Sequence, residues 1–207
     1  MTVIIDYGVG NLFSLTSSLR AIGEEALVTD RPELIQAADR LILPGVGAFG
    51  DAAEKLHAKK LDGLLAEQAA AGKPLLGICL GMQLLFRRSF EYGEHQGLGL
   101  LEGDILPFSE ALGPEYKIPH IGWNAIRPVG DCPLFKYVHS GDCVYFVHSY
   151  YAPARTPGVA ALTEYGLEFC SAAAQGKVFG CQFHPEKSGA VGLGILRGFV
   201  ETEGGPC

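Results

Sequence analysis

Short apolar runs alternate with helix-spaced stretches over the first eighty residues. Val3-Ile4-Ile5 predicts a buried strand, and Asn11 precedes Leu12, Leu15, Leu19 and Ile22, apolar positions that share one helical face. Ala26-Leu27-Val28 predicts a second strand, Pro32 opens a short helix through Ile35, and Leu41-Ile42-Leu43 gives a third strand ending at Pro44 and a glycine cluster. One long helix is expected over Asp51 to Ala71. Gly72-Lys73-Pro74 closes it, and Leu75-Leu76-Gly77-Ile78 runs as a strand into Cys79, with a further helix beginning near Met82. Strands alternating with helices imply an open, mostly parallel sheet covered by helices on both faces. From Gly97 to about Cys170 the texture changes. Gly, Pro and aromatic residues crowd in, with strand candidates at Trp123–Ile126, Val144–Val147 and Val159–Leu162, which predicts an antiparallel β elaboration without helices. Val178–Phe183 is a last buried strand, and Leu193, Leu196 and Val200 mark a closing helix.

Composition narrows the function classes. A hydrophobic share of 48% against 19% charged residues fits one α/β domain over 1–207 and excludes wholesale disorder. The formal charge of −7 offers no basic footprint, so nucleic acid is not expected as a partner. No apolar run approaches the ~18 residues of a membrane span. The start MTVIID lacks a secretory pattern, and the six cysteines form no C-x-x-C pair, which together point to a reducing cytoplasm. No His/Cys pair has metal-ligand spacing, so neither a metal nor a cofactor is expected.

The chemistry concentrates in three segments. Gly77-Ile78-Cys79-Leu80-Gly81 lies between an apolar strand and a helix, a G-x-nucleophile-x-G elbow with cysteine as nucleophile. Glycines flank it because the backbone there is strained and side chains would collide with adjacent strands. The following helix points its first N–H groups at the sulfur, which favours thiolate. The other cysteines read as small buried hydrophobes; Cys181 alternates with Phe179 and Phe183 on one strand face. His184-Pro185-Glu186 supplies a base and a carboxylate to hold its tautomer, two residues apart in an extended segment and therefore on one side. Gly45-Val46-Gly47-Ala48-Phe49-Gly50 matches G-x-G-x-x-G, but the neighbourhood of Glu67, where a dinucleotide site places its acid, is helical. The loop suits an oxyanion hole better, with the N–H of Val46 or Gly47 joined by that of Leu80.

With these segments in hand the sequence resembles the class I, triad-type glutamine amidotransferases. Within them it is similar to the glutaminase subunits of imidazole glycerol phosphate synthases. The matching stretches are DYGVGNL from Asp6, PGVGAF from Pro44, GICLGMQLLF from Gly77, PHIGWN from Pro119, YFVHSY from Tyr145 and QFHPEKS from Gln182. The elbow and His-Pro-Glu are common to the whole family; the first, fourth and fifth stretches favour this branch.

The resemblance implies a triad of Cys79, His184 and Glu186 and a glutamine pocket using Gly47, Gln83, His148, Ser149 and Tyr150. It places Asn11, Trp123, Tyr145 and Lys187 near a partner interface. The partner it implies is a (β/α)8 cyclase, which receives ammonia through its barrel and makes imidazole glycerol phosphate and AICAR in histidine biosynthesis. The stretch from Ser89 to Gln96 reads as an unremarkable linker. Three other readings exist: an amidotransferase serving a different synthase, a non-catalytic binding module, which the intact nucleophile, base and acid disfavour, and a cysteine peptidase or chaperone-like hydrolase. Enzymes of that last kind often place histidine directly after the nucleophile, where this chain has Leu80.

Overall fold

A computed structural model describes residues 1–202; Cys207 lies outside the described residues. In chain order the elements are β1 (Thr2–Ile5), α1 (Leu12–Ala21), β2 (Ala26–Thr29), α2 (Pro32–Ala37), β3 (Arg40–Leu43), α3 (Phe49–Ala58), α4 (Leu61–Ala70), β4 (Leu75–Ile78) and α5 (Leu80–Leu85). There follow β5 (Phe86–Ser89), β6 (His95–Gln96), β7 (Leu101–Pro107), β8 (His120–Ala125), β9 (Arg127–Pro128), β10 (Cys143–His148), β11 (Tyr150–Pro153), β12 (Val159–Glu164), β13 (Glu168–Gln175), β14 (Val178–Cys181) and α6 (Gly189–Val200).

The main sheet runs β2-β1-β3-β4-β14-β13-β11-β7-β5-β6. Its first five strands are all parallel. From β13 to β7 the pairing turns antiparallel, while β7 and β5 are parallel again. The expected α/β architecture with an antiparallel extension is thus what the chain forms. Burial on both faces explains the unbroken apolar runs. In β1, Val3 and Ile5 pack on one side with Leu41, Leu43, Leu56, Leu61 and Leu65. Ile4 faces the other side with Ile42, Leu76, Leu15, Leu19, Ile195 and Phe199. So α2, α3 and α4 cover one face, and α1 and α6 the other.

Five expectations need correction. The stretch Asp51–Ala71 is two helices, broken where Lys60 takes a left-handed φ of 57°. The turn lets Leu61 and Leu65 reach the same core as Leu56, and no glycine or proline announces it. The helix after Cys79 starts at Leu80 rather than Met82. The last strand stops at Cys181, because Gln182 to His184 leave the β4 edge and the His184 N–H turns to the Tyr145 carbonyl at 2.9 Å. The Ser89–Gln96 stretch is no plain linker: β5 and β6 pair across it. The strand candidates Val144–Val147 and Val159–Leu162 exist with longer bounds, the one at Trp123–Ile126 is shifted to His120–Ala125 and leaves out Ile126, and β8 and β10 form a separate two-stranded ribbon. Phe179, Cys181 and Phe183 do share one core face.

Candidate active site

Parallel strands β1, β3, β4 and β14 end at one edge, and the glycine loop, Cys79 and His184 emerge together there, where open α/β sheets place their ligands. Cys79 has φ 54° and ψ −112°, outside the comfortable regions for a side-chain-bearing residue. Its N–H donates to the Cys181 carbonyl at 2.8 Å, which ties the elbow to β14. The flanking glycines are required by contact rather than by dihedral angle. A Cβ on Gly81 would lie 1.9 Å from the Leu43 carbonyl oxygen, and one on Gly77 would lie 2.6 Å from the Gly81 carbonyl oxygen.

His184 Nδ1 donates to Glu186 Oε1 at 2.8 Å, and both side chains are buried. That bond leaves the lone pair of the neutral ring on Nε2, the atom a base must use. Glu186 is not in extended chain, as its spacing suggested; Pro185–Lys187 forms a 3-10 turn that folds the carboxylate back onto the ring. Burial opposes charging of His184, but the adjacent Cys79 sulfur and the Glu186 carboxylate outweigh it and raise the imidazole pKa to about 9. Nε2 has no hydrogen-bond partner by geometry among the described residues, and its neighbour for proton exchange is the Cys79 sulfur. The thiol proton has another acceptor, the Val147 carbonyl at 3.9 Å.

Val46, Gly47, Cys79, Leu80, Gln83, His148, Ser149, Tyr150 and His184 line one cavity of about 270 Å³. Gly47 there has φ 96°, a conformation open to glycine. Tyr150 contributes its carbonyl, which accepts from His148 Nδ1 at 2.8 Å and Gln83 Nε2 at 3.3 Å. A carbonyl can only accept, so His148 carries its proton on Nδ1 and its Nε2 receives the His120 Nδ1 proton at 3.0 Å. Burial holds both histidines neutral, with pKa values lowered to about 3 for His148 and about 4 for His120. Gln83 spends its second N–H on Gln182 Oε1 at 2.9 Å, and its own Oε1 is the acceptor it can offer a ligand.

Glu91 also lines this cavity, and the sequence reading missed it. It is buried, and its Oε2 accepts the Phe49 N–H at 2.5 Å, at the start of α3 directly after the glycine loop. Burial pushes its pKa up, against the lowering effect of the Phe49 bond. The available signal was a lone acid between Phe90 and Tyr92. A larger cavity of about 410 Å³, lined by α3 residues, His95 and Leu98, includes none of Cys79, His184 and Glu186.

Of the four residues expected at an interface, three meet on the ribbon. Trp123 and Tyr145 are register partners with ring centroids 6.2 Å apart, and Lys187 Nζ lies 5.7 Å from the Tyr145 ring. Asn11 lines a void of about 10 Å³ together with His184 and Glu186. Among the described residues no cluster is arranged to hold a metal ion, and no helix is long and apolar enough to cross a membrane.

The model of the family "Glutamine amidotransferase class-I" matches residues 3–201. The chain belongs to the class I glutamine amidotransferases. Two relatives carry the name "Imidazole glycerol phosphate synthase subunit HisH". The one from Bacillus cytotoxicus is 49% identical over 96% of this chain and 93% of its own length. The one from Wolinella succinogenes is 49% identical over 97% of this chain and 99% of its own. Two solved structures share the fold at 21% identity and a TM-score of 0.74, each covering 96% of this chain. They are "Crystal structure of glutamine amidotransferase", covered over 97%, and "Structure of PurLQS from Thermotoga maritima", covered over 96%. Amide-nitrogen transfer from glutamine is the chemistry of this amidotransferase.

Proposed function

We propose that this amidotransferase is the glutaminase subunit of an imidazole glycerol phosphate synthase, acting in the cytoplasm through a Cys79 thioester. The observation that carries the mechanism is the buried His184–Glu186 pair beside a sulfur held on a strained strand exit. His184 Nε2 holds the proton taken from Cys79, and the resulting thiolate attacks the side-chain amide carbon of glutamine. The N–H groups of Val46 or Gly47 and Leu80 receive the developing oxyanion. His184 returns the proton to the departing nitrogen, releasing ammonia and leaving a thioester, and water activated by the same imidazole then frees glutamate.

The cavity has the parts glutamine requires. The Glu91 carboxylate is the anionic group for the substrate ammonium, and Gln83, His148, Ser149 and Tyr150 shape the rest. The ribbon surface of Trp123, Tyr145 and Lys187, with Asn11, meets a (β/α)8 cyclase. The cyclase receives ammonia before water protonates it and forms imidazole glycerol phosphate and AICAR. The names of the relatives support this branch over other amidotransferases. A glutaminase assay with and without purified barrel cyclase and its ligand tests the reading. Turnover is expected to be slow alone, to rise steeply in the complex, and to vanish in Cys79→Ala. Equal turnover with and without the cyclase would refute the pairing.

A further inference from the structure

Gln182 is fully buried at the exit of β14, one of the few polar side chains in the core, and the mechanism above gives it no task. A buried amide needs partners for both ends, so the way it is turned can be worked out from its neighbours. The Tyr150 carbonyl can only accept. Gln83 therefore turns its Nε2 toward it at 3.3 Å. The same Nε2 faces Gln182 at 2.9 Å, so the Gln182 atom there is an acceptor, Oε1. That fixes the other end: Gln182 Nε2 faces Cys79 Sγ at 3.7 Å and donates to it.

We propose that Gln182, turned by Gln83, is a hydrogen-bond donor that stabilises the Cys79 thiolate. The proposal rests on the reading of Cys79 as the nucleophile. A neutral amide donor strengthens its bond as the sulfur becomes anionic and does not compete for the thiol proton. The Val147 carbonyl has the opposite preference, because it accepts only from the protonated thiol. Loss of the proton to His184 thus exchanges one partner for the other. The donor serves twice in a turnover. It favours the thiolate that attacks and, when water breaks the thioester C–S bond, the thiolate that leaves with the electron pair.

The test is alkylation of Cys79 by iodoacetamide as a function of pH, read on the Cys79 peptide by mass spectrometry so that Cys132 and Cys143 do not contribute. This readout needs neither glutamine nor a cyclase, so it separates failure of this proposal from failure of the proposed function. Gln182→Met keeps the volume and removes the donor. The expected result is an alkylation rate about tenfold lower at pH 7, the lower end for a hydrogen bond to a charged group. The plateau at high pH should be retained and the midpoint moved upward. A Gln182→Met protein that melts cooperatively and keeps the wild-type midpoint overturns the proposal, as does a lowered plateau without a moved midpoint. If Gln182→Met does not fold, Gln83→Met takes its place. It leaves the donor but frees its orientation, and a smaller upward displacement is expected; an unmoved midpoint overturns the proposal.

Discussion

Glu186 both receives the Nδ1 proton of His184 and places a negative charge beside the ring. Glu186→Gln separates the two, because the amide oxygen can still accept that proton while the charge is gone. His184 should then lose its proton at a lower pH than about 9, which an NMR titration of the ring measures. The glutaminase kcat in the complex should fall on the order of 10²-fold, the scale of a weakened general base. An unchanged ring titration would show that the charge of Glu186 is not felt. At Gly81 the constraint is steric. A methyl group 1.9 Å from the Leu43 carbonyl oxygen forces β3 and β4 apart just where the elbow must sit. Gly81→Ala should cost about 3 kcal/mol by denaturant unfolding. A wild-type midpoint would mean that the strand ends yield more easily than this contact implies.

The ribbon of β8 and β10 connects the outer surface to His184 through very few atoms. Tyr145 presents its ring outward beside Trp123, while its carbonyl accepts the His184 N–H at 2.9 Å. Its own N–H donates to Ser188 Oγ at 3.0 Å, and that hydroxyl donates to the His184 carbonyl at 2.6 Å. Trp123→Ala should weaken cyclase binding by about 2 kcal/mol, as for a central aromatic anchor, with the melting temperature of the free chain unchanged. Calorimetric titration against the cyclase decides it; wild-type affinity would remove this face from the interface. The parallel strands and the elbow were legible in the sequence because burial on both faces writes continuous apolar runs and the close strand approach demands glycine. The break at Lys60 was not, since tertiary packing of Leu61 and Leu65 imposes it on a locally helical pattern. Strands β5, β7 and β11 also escaped notice, because they are short or irregularly buried, and β13 because its buried face is built from small residues, Ser171, Ala172 and Ala173, that write no strand signal. Glu91 was hidden for a similar reason: only its bond to Phe49, 42 residues away, makes a solitary acid meaningful.

At the scale of the whole molecule, the buried histidines set how stability depends on pH. His148 and His120 have folded pKa values of about 3 and about 4, well below the roughly 6.5 of an unfolded histidine. As pH falls below about 6.5, the unfolded chain binds protons that the folded chain refuses, so stability drops. Each group contributes up to about 1.4 kcal/mol per pH unit until its folded pKa is reached. His184 has the opposite sign. Its folded pKa of about 9 is raised, so its contribution is fully present below about 6.5 and is lost as pH rises through about 9. Ion-paired carboxylates such as Asp104, whose pKa the neighbouring Arg88 lowers, lose their contribution only below about 4, beneath the window of His120. Melting temperature against pH should therefore form a dome with its top near neutrality and an acid flank that begins near pH 6.5. His120→Asn removes one titrating ring and leaves Cys79, His184 and Glu186 in place. It should flatten that flank between pH 4 and 6.5 without moving the alkaline one. An acid flank of unchanged slope in His120→Asn would place the proton uptake on other groups and break the link between the neutral histidine pair and the stability of the fold.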